Sequence, residues 1–148
     1  MVGLSKSFTT KYNIYMLDCI FCKISKAEIP CEKIYENENF LVFFDIKPVS
    51  DGHLLIIPKK HTIWMQEAED EIISEIFKLT KKIMSAMKNA LNCDFVQVSV
   101  VGEEMPHFHI HLIPRYFDDK LSNFPTKKYE SKKSKEIAKK ITRRLARP

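Results

Sequence analysis

Between residues 33 and 57 the chain carries three short apolar runs, Lys33 to Tyr35, Phe40 to Phe44 and His53 to Ile57, punctuated by Asn37, Asn39 and the stretch Pro48 to Gly52. Aromatic and aliphatic runs of this length, bounded by turn formers, predict strands of an antiparallel meander. From Glu67 to Leu91 the period changes. Ile72, Ile76, Leu79, Ile83, Met87 and Leu91 recur at steps of three and four with no Gly or Pro between them, which predicts an amphipathic helix. Its acidic start (Glu67, Glu69, Asp70, Glu71) and basic second half (Lys78, Lys81, Lys82, Lys88) complement the helix dipole, and its Met residues read as core. Phe95 to Val101 and His107 to Ile113 alternate as strands again, joined by Gly102 to Pro106, with Pro114 expected to end the second. Cys19 to Ala27 predicts a short helix that stops before Pro30. Residues 115 to 130 read as a surface loop, and Ser131 to Ala146 as a final helix with Ile137, Ile141 and Leu145 on one stripe. The fold class is α+β.

With 148 residues, 45% of them apolar, the chain suits one core of ordinary size. We read residues 1–15 as an irregular leader and residues 16–148 as a single domain with a basic tail, residues 120–148. The longest apolar run, Phe40 to Phe44, is far short of the roughly 20 residues that span a bilayer, so no membrane partner is expected. The net charge of +5 hides two regions of opposite sign: residues 1–119 carry 13 Lys+Arg against 17 Asp+Glu, and residues 120–148 carry 11 against 2. Nucleic acid is one partner such a tail can serve; a solvated terminal helix is the favoured reading. No signal-peptide-like apolar core precedes the body, so the expected compartment is reducing and the expected location cytoplasmic. Residues 1–15, polar, free of acid and holding two Lys, leave an organellar transit segment as the alternative.

In a reducing compartment Cys19-Ile20-Phe21-Cys22 reads as metal or redox chemistry, whereas Cys31 and Cys93 read as small buried hydrophobes. The pair offers half of a tetrahedral zinc site, with His61 and His107 as candidates for the rest. A redox dithiol competes, although its usual strand-helix-strand context is not seen. Three of the five histidines fall in His107-Phe108-His109-Ile110-His111-Leu112-Ile113. In a strand the three imidazoles share one face while Phe108, Ile110 and Leu112 point to the core. Neighbours on that face lie roughly 6.6 Å apart and the outer two roughly 13 Å, too far for one metal to take all three easily. Imidazole titrates near neutrality, so such a row supplies a nucleophile, a proton donor and a phosphate ligand.

Four segments together, Cys19 to Ile24, Phe44-Asp45-Ile46-Lys47-Pro48, Gly52 to His61 and His107 to Arg115, resemble a histidine triad hydrolase of the Hint-like branch. The last carries the His-φ-His-φ-His-φ-φ signature. The resemblance implies an antiparallel sheet of about five strands with one long central helix and a C-terminal helix, in a homodimer. It implies hydrolysis of purine nucleoside 5'-phosphoramidates or other AMP conjugates at the α-phosphorus through a nucleotidyl-histidine intermediate. His109 would be the nucleophile, His111 a phosphate ligand, Asp45 the ribose ligand and Ile46 a base contact, with His53 in support. Cys19, Cys22, His61 and His107 would hold a structural zinc. Two features depart from or narrow the pattern. The connection Gly102-Glu103-Glu104-Met105-Pro106 looks shorter than in many relatives, with Glu103 and Glu104 as turn residues or aids to the leaving group. His111 in the third position favours hydrolysis over transfer. A dinucleoside polyphosphate or adenylated-DNA hydrolase, and a non-catalytic purine-nucleotide-binding protein, are the alternatives.

Overall fold

The computed structural model describes residues 18–102, 105–121, 126–128, 130 and 132–146. The elements are α1 (Ile20–Ser25), β1 (Lys33–Glu36), β2 (Phe40–Phe44), β3 (Leu54–Pro58), a 3-10 turn (Met65–Glu67), α2 (Asp70–Leu91), β4 (Phe95–Ser99), β5 (Ile110–Arg115) and α3 (Lys133–Leu145). All five strands join one antiparallel sheet in the order β1-β2-β3-β5-β4. This is the expected α+β class, with the expected five strands, long helix and terminal helix.

The alternation of β2 and β3 explains the layers. Phe40, Val42, Leu54 and Ile56 bury one face of the sheet with Phe108, Ile110 and Leu112, against Ile76, Leu79, Ile83 and Met87 of α2. Leu41, Phe43, Leu55 and Ile57 bury the opposite face beneath Cys19 and Phe21. Covered on both sides, β3 reads as an unbroken apolar run, and each such side chain contributes about 1.5–3 kcal/mol on burial. The long helix begins at Asp70 rather than Glu67, because the 3-10 turn takes the preceding residues, and it ends on left-handed Asn92.

The last strand departs most from expectation. It starts at Ile110, not His107, and runs through Pro114 to Arg115. Before Ile110 the backbone bonds elsewhere: His107 N donates to the Met105 carbonyl and Phe108 N to the Thr62 carbonyl. Pro114 is tolerated because β3 pairs only as far as Leu112, so on that side no ladder carbonyl waits for the missing N–H. Arg115, expected in the loop, is buried and binds Asp119 through two nitrogens and Gln97 through a third. The amphipathic stripe of α3 forms as expected, but no described residue of the helix is fully buried: Ile137 is half-buried, Ile141 56% and Leu145 81% exposed. No described helix is long and apolar enough to cross a membrane. Residues 1–15, Glu103 and Glu104 lie outside the described residues.

Candidate functional site

The register of β2, β3 and β5 aligns Phe43 with Leu55 and Leu55 with His111, all on the face that α1 covers. A one-residue slip would move this whole row to the other face. The row walls a cleft of about 490 Å³, completed by His109, Asp45, Ile46, Lys47, Ile20, Phe21, Val101 and Met105. Ile46 stands at its rim, 92% exposed.

At one end of the histidine row, four donors converge. His107 Nδ1 lies 3.3 Å from Cys19 Sγ and 3.6 Å from Cys22 Sγ, and His61 Nδ1 lies 3.2 Å from Cys22 Sγ. All four ligand atoms fall within 4.8 Å of one another. A tetrahedral zinc ion, with bonds of about 2.3 Å to sulfur and about 2.0–2.1 Å to nitrogen, sets sulfur–nitrogen edges of about 3.5 Å, so the donor set fits. His107 Nε2 donates to the Pro58 carbonyl at 2.8 Å. A carbonyl only accepts, so this bond directs the lone pair of Nδ1 at the two thiols. Burial lowers His107 to about 4 and pushes the Cys22 thiol up to about 12, with the neighbouring Cys19 adding to the latter. A divalent cation reverses that logic for a thiol.

At the other end, protons line up along a chain of donors. Val49 N–H donates to His53 Nδ1 at 3.0 Å, which makes His53 Nε2 the protonated nitrogen; Nε2 in turn lies 2.9 Å from His111 Nδ1. His111 therefore accepts on Nδ1 and carries its own proton on Nε2. Asp45 Oδ2 stands 3.7 Å from His53 Nε2 and 4.0 Å from His111 Nδ1, while its Oδ1 accepts from Lys47 N. Burial lowers His53, and burial with the neighbouring His109 and His53 lowers His111 to about 4, against the opposing pull of Asp45. Both rings are thus neutral at pH 7, as the donor chain requires. Although Asp45, His53 and His111 are close enough to share a cation, the His–His hydrogen bond already uses the lone pair of His111 Nδ1.

The turn from Asp45 to His53 holds this chain in place. Gly52 adopts φ +95, where a side chain is strained, and a Cβ there would come 2.6 Å from Leu91 and 3.2 Å from Pro114. Ser50 Oγ donates to the Pro114 carbonyl at 2.7 Å, His53 N to the Ser50 carbonyl and Asp45 N to the His53 carbonyl.

His109 sits between the two ends. Its Nδ1 donates to the His107 carbonyl at 2.7 Å, which places the lone pair on Nε2. The structure thus brings Asp45, Ile46, His109 and His111 to one cleft, sets His53 behind His111, and gathers Cys19, Cys22, His61 and His107 into a separate cluster. Sequence reasoning missed Phe21, whose ring meets His109 edge-on at 5.2 Å, and the backbone partners Val49 and Pro58. A place between two cysteines was the one signal for Phe21; nothing local marks a backbone partner.

The model of the HIT domain matches residues 26–118. An adenosine 5'-monophosphoramidase of Schizosaccharomyces pombe is 41% identical over 101 residues, 67% of this chain and 75% of that protein. Among solved structures, a HIT family protein from Bacillus anthracis superposes with a TM-score of 0.75 at 36% identity, covering 86% of this chain and 96% of that one. A zinc-bound histidine triad family protein from Mycobacterium smegmatis superposes at 0.69 with 29% identity, covering 87% and 96%.

Proposed function

The chain belongs to the HIT family, and on that premise we propose that it is a nucleotide hydrolase that cleaves purine nucleoside 5'-phosphoramidates and related AMP conjugates at the α-phosphorus. The S. pombe relative, named for that activity, supports the substrate class. The observation that carries the mechanism is the His109 Nδ1–H donated to the His107 carbonyl on a residue that lines the cleft. With its lone pair on Nε2, His109 attacks phosphorus while the bond to the leaving group breaks, and the leaving group departs with that electron pair. The carbonyl of His107 then steadies the positive charge on the nucleotidyl-imidazole. Water then attacks phosphorus, the phosphorus–nitrogen bond breaks with its electron pair returning to Nε2, and AMP leaves; the proton that water loses balances the one the departing amine gains, so the cycle consumes one water. His111, protonated on Nε2 by the donor chain behind it, hydrogen-bonds the phosphoryl oxygens and stabilises the charge that develops there. Asp45 takes the ribose hydroxyls and Ile46 contacts the base.

Cys19, Cys22, His61 and His107 would hold zinc. With four protein ligands its chemistry is structural, pinning the N-terminal segment to the strand that carries the triad. A homodimer fits the edge of the sheet: β4 is its last strand, with Val98 exposed on it and Val100 and Val101 exposed just beyond its end.

The test is a quenched single-turnover reaction with an AMP phosphoramidate, the protein trapped at alkaline pH for intact-mass measurement beside His109→Ala. Adenylated wild-type protein and an unmodified variant are expected. Release of AMP by the variant at the wild-type rate would overturn the assignment.

A further inference from the structure

The two residues between the cysteines serve the cleft as well as the cluster. Ile20 and Phe21 both line the cleft, although Cys19 and Cys22 on either side of them converge on His61 and His107. The Phe21 ring meets His107 edge-on at 5.8 Å and 72°, His109 at 5.2 Å and 78°, and Phe43 at 5.7 Å and 75°. One ring therefore touches an imidazole of the ligand set, the imidazole of the central triad position and the floor of the cleft.

The helix that carries this ring is anchored chiefly through it. α1 spans six residues, of which Phe21 alone is fully buried while Cys22 and Ile24 are partly buried against the same cluster, and a helix this short is not stable by itself. Its ion pair, Lys23 with Asp18, lies at the surface, where such pairs contribute little. A metal bound by Cys19 and Cys22 ties both ends of the Ile20–Phe21 wall to His61 and His107. A nucleotide in the cleft would pack on the same wall from the other side. Whichever arrives first orders the segment that the other also needs.

Resting on the reading of the cleft as a nucleotide site, we propose that Phe21 is a positioning residue that couples the metal centre to the nucleotide cleft, so that metal binding and nucleotide binding strengthen each other. Linkage requires the two effects to be equal: the factor by which zinc tightens nucleotide is the factor by which nucleotide tightens zinc.

The test measures both sides of that equality. AMP is titrated calorimetrically into zinc-loaded and metal-stripped protein, and zinc affinity is measured by competition with a chromophoric chelator, with and without saturating AMP. About a tenfold strengthening is expected in each direction, within the usual range of coupling. Phe21→Ala should still bind one zinc, but both factors should fall below about twofold, while Phe21→Tyr, which keeps the ring, should restore them. Equal AMP affinity in the two metal states of the wild type overturns the coupling and leaves the nucleotide reading standing. Failure of AMP to bind in either state overturns both. Should circular dichroism show that the metal-stripped chain unfolds, the competition on Phe21→Ala decides, because a retained wild-type factor there overturns the role of Phe21.

Discussion

Two histidine clusters grow from one stretch of chain, yet they are built for opposite ends. At the Cys19–Cys22–His61–His107 end, the donors face one another and His107 is fastened by a backbone carbonyl, so the arrangement is closed. At the Asp45–His53–His111 end, each ring passes a proton direction to the next and the last proton points onward, so the arrangement is open. The same side chain turns a different nitrogen to its neighbours according to which of the two the backbone occupies. Pro58 takes Nε2 of His107, whereas Val49 takes Nδ1 of His53.

The most damaging way to break the open end is to remove the residue between the two. His109→Ala should lower single-turnover hydrolysis of an AMP phosphoramidate by at least about 10³-fold, with a modest fall in melting temperature because the buried ring also packs edge-on against Phe21. The closed end should show the reverse pattern. Stripping metal with a chelator should lower the melting temperature steeply; at a zinc concentration about 1,000-fold above its Kd the loss is about 4 kcal/mol, read as the shift in a urea midpoint with and without metal.

A milder break leaves His111 in place but releases its tautomer. His53→Ala should reduce kcat about tenfold to a hundredfold while KM moves little, because the ring that remains is misdirected rather than absent. Smallest is the effect of charge. Asp45 pulls the acidities of His53 and His111 upward against the larger downward push of burial. Asp45→Asn should therefore move the acid limb of the kcat profile to lower pH by less than about one unit. Stability follows the same sign. His111 protonates at about 4 when folded, against about 6.5 when unfolded, so from pH 6.5 down to about 4 the unfolded chain takes up a proton that the folded one refuses. Its contribution to stability should fall across that window and level off below it, as a series of urea midpoints would show.

What could be read before the structure was what periodicity encodes. The alternation of His107 to Leu112 correctly separated three imidazoles from Phe108, Ile110 and Leu112, because side-chain direction survives even where the ladder bonds do not. The strand boundaries failed for the complementary reason. His107 and Phe108 bond to Met105 and Thr62, partners set by the path of a distant loop, and Pro114 stays in its strand because a neighbouring strand happens to stop. The grouping of Cys19, Cys22, His61 and His107 was legible from residue type and resemblance. The tautomers were not, since they depend on a peptide N–H and a peptide carbonyl that every residue carries. Phe21 was passed over because its packing partners lie more than 20 residues away in sequence. The stripe on α3 was correctly placed on one side of a helix, but a stripe does not say whether anything covers it.

Gly102, where the connection before the triad begins, packs against one ring. A Cβ on Gly102 would come within 2.2 Å of Trp64, so the indole rests directly on backbone, and the adjoining Val101 walls the cleft. Trp64 is also the sole tryptophan of the chain. The molecule thus carries its own fluorophore against the residue next to Val101 of the cleft wall, and the emission of unlabelled protein becomes an optical record of what happens there when a ligand arrives.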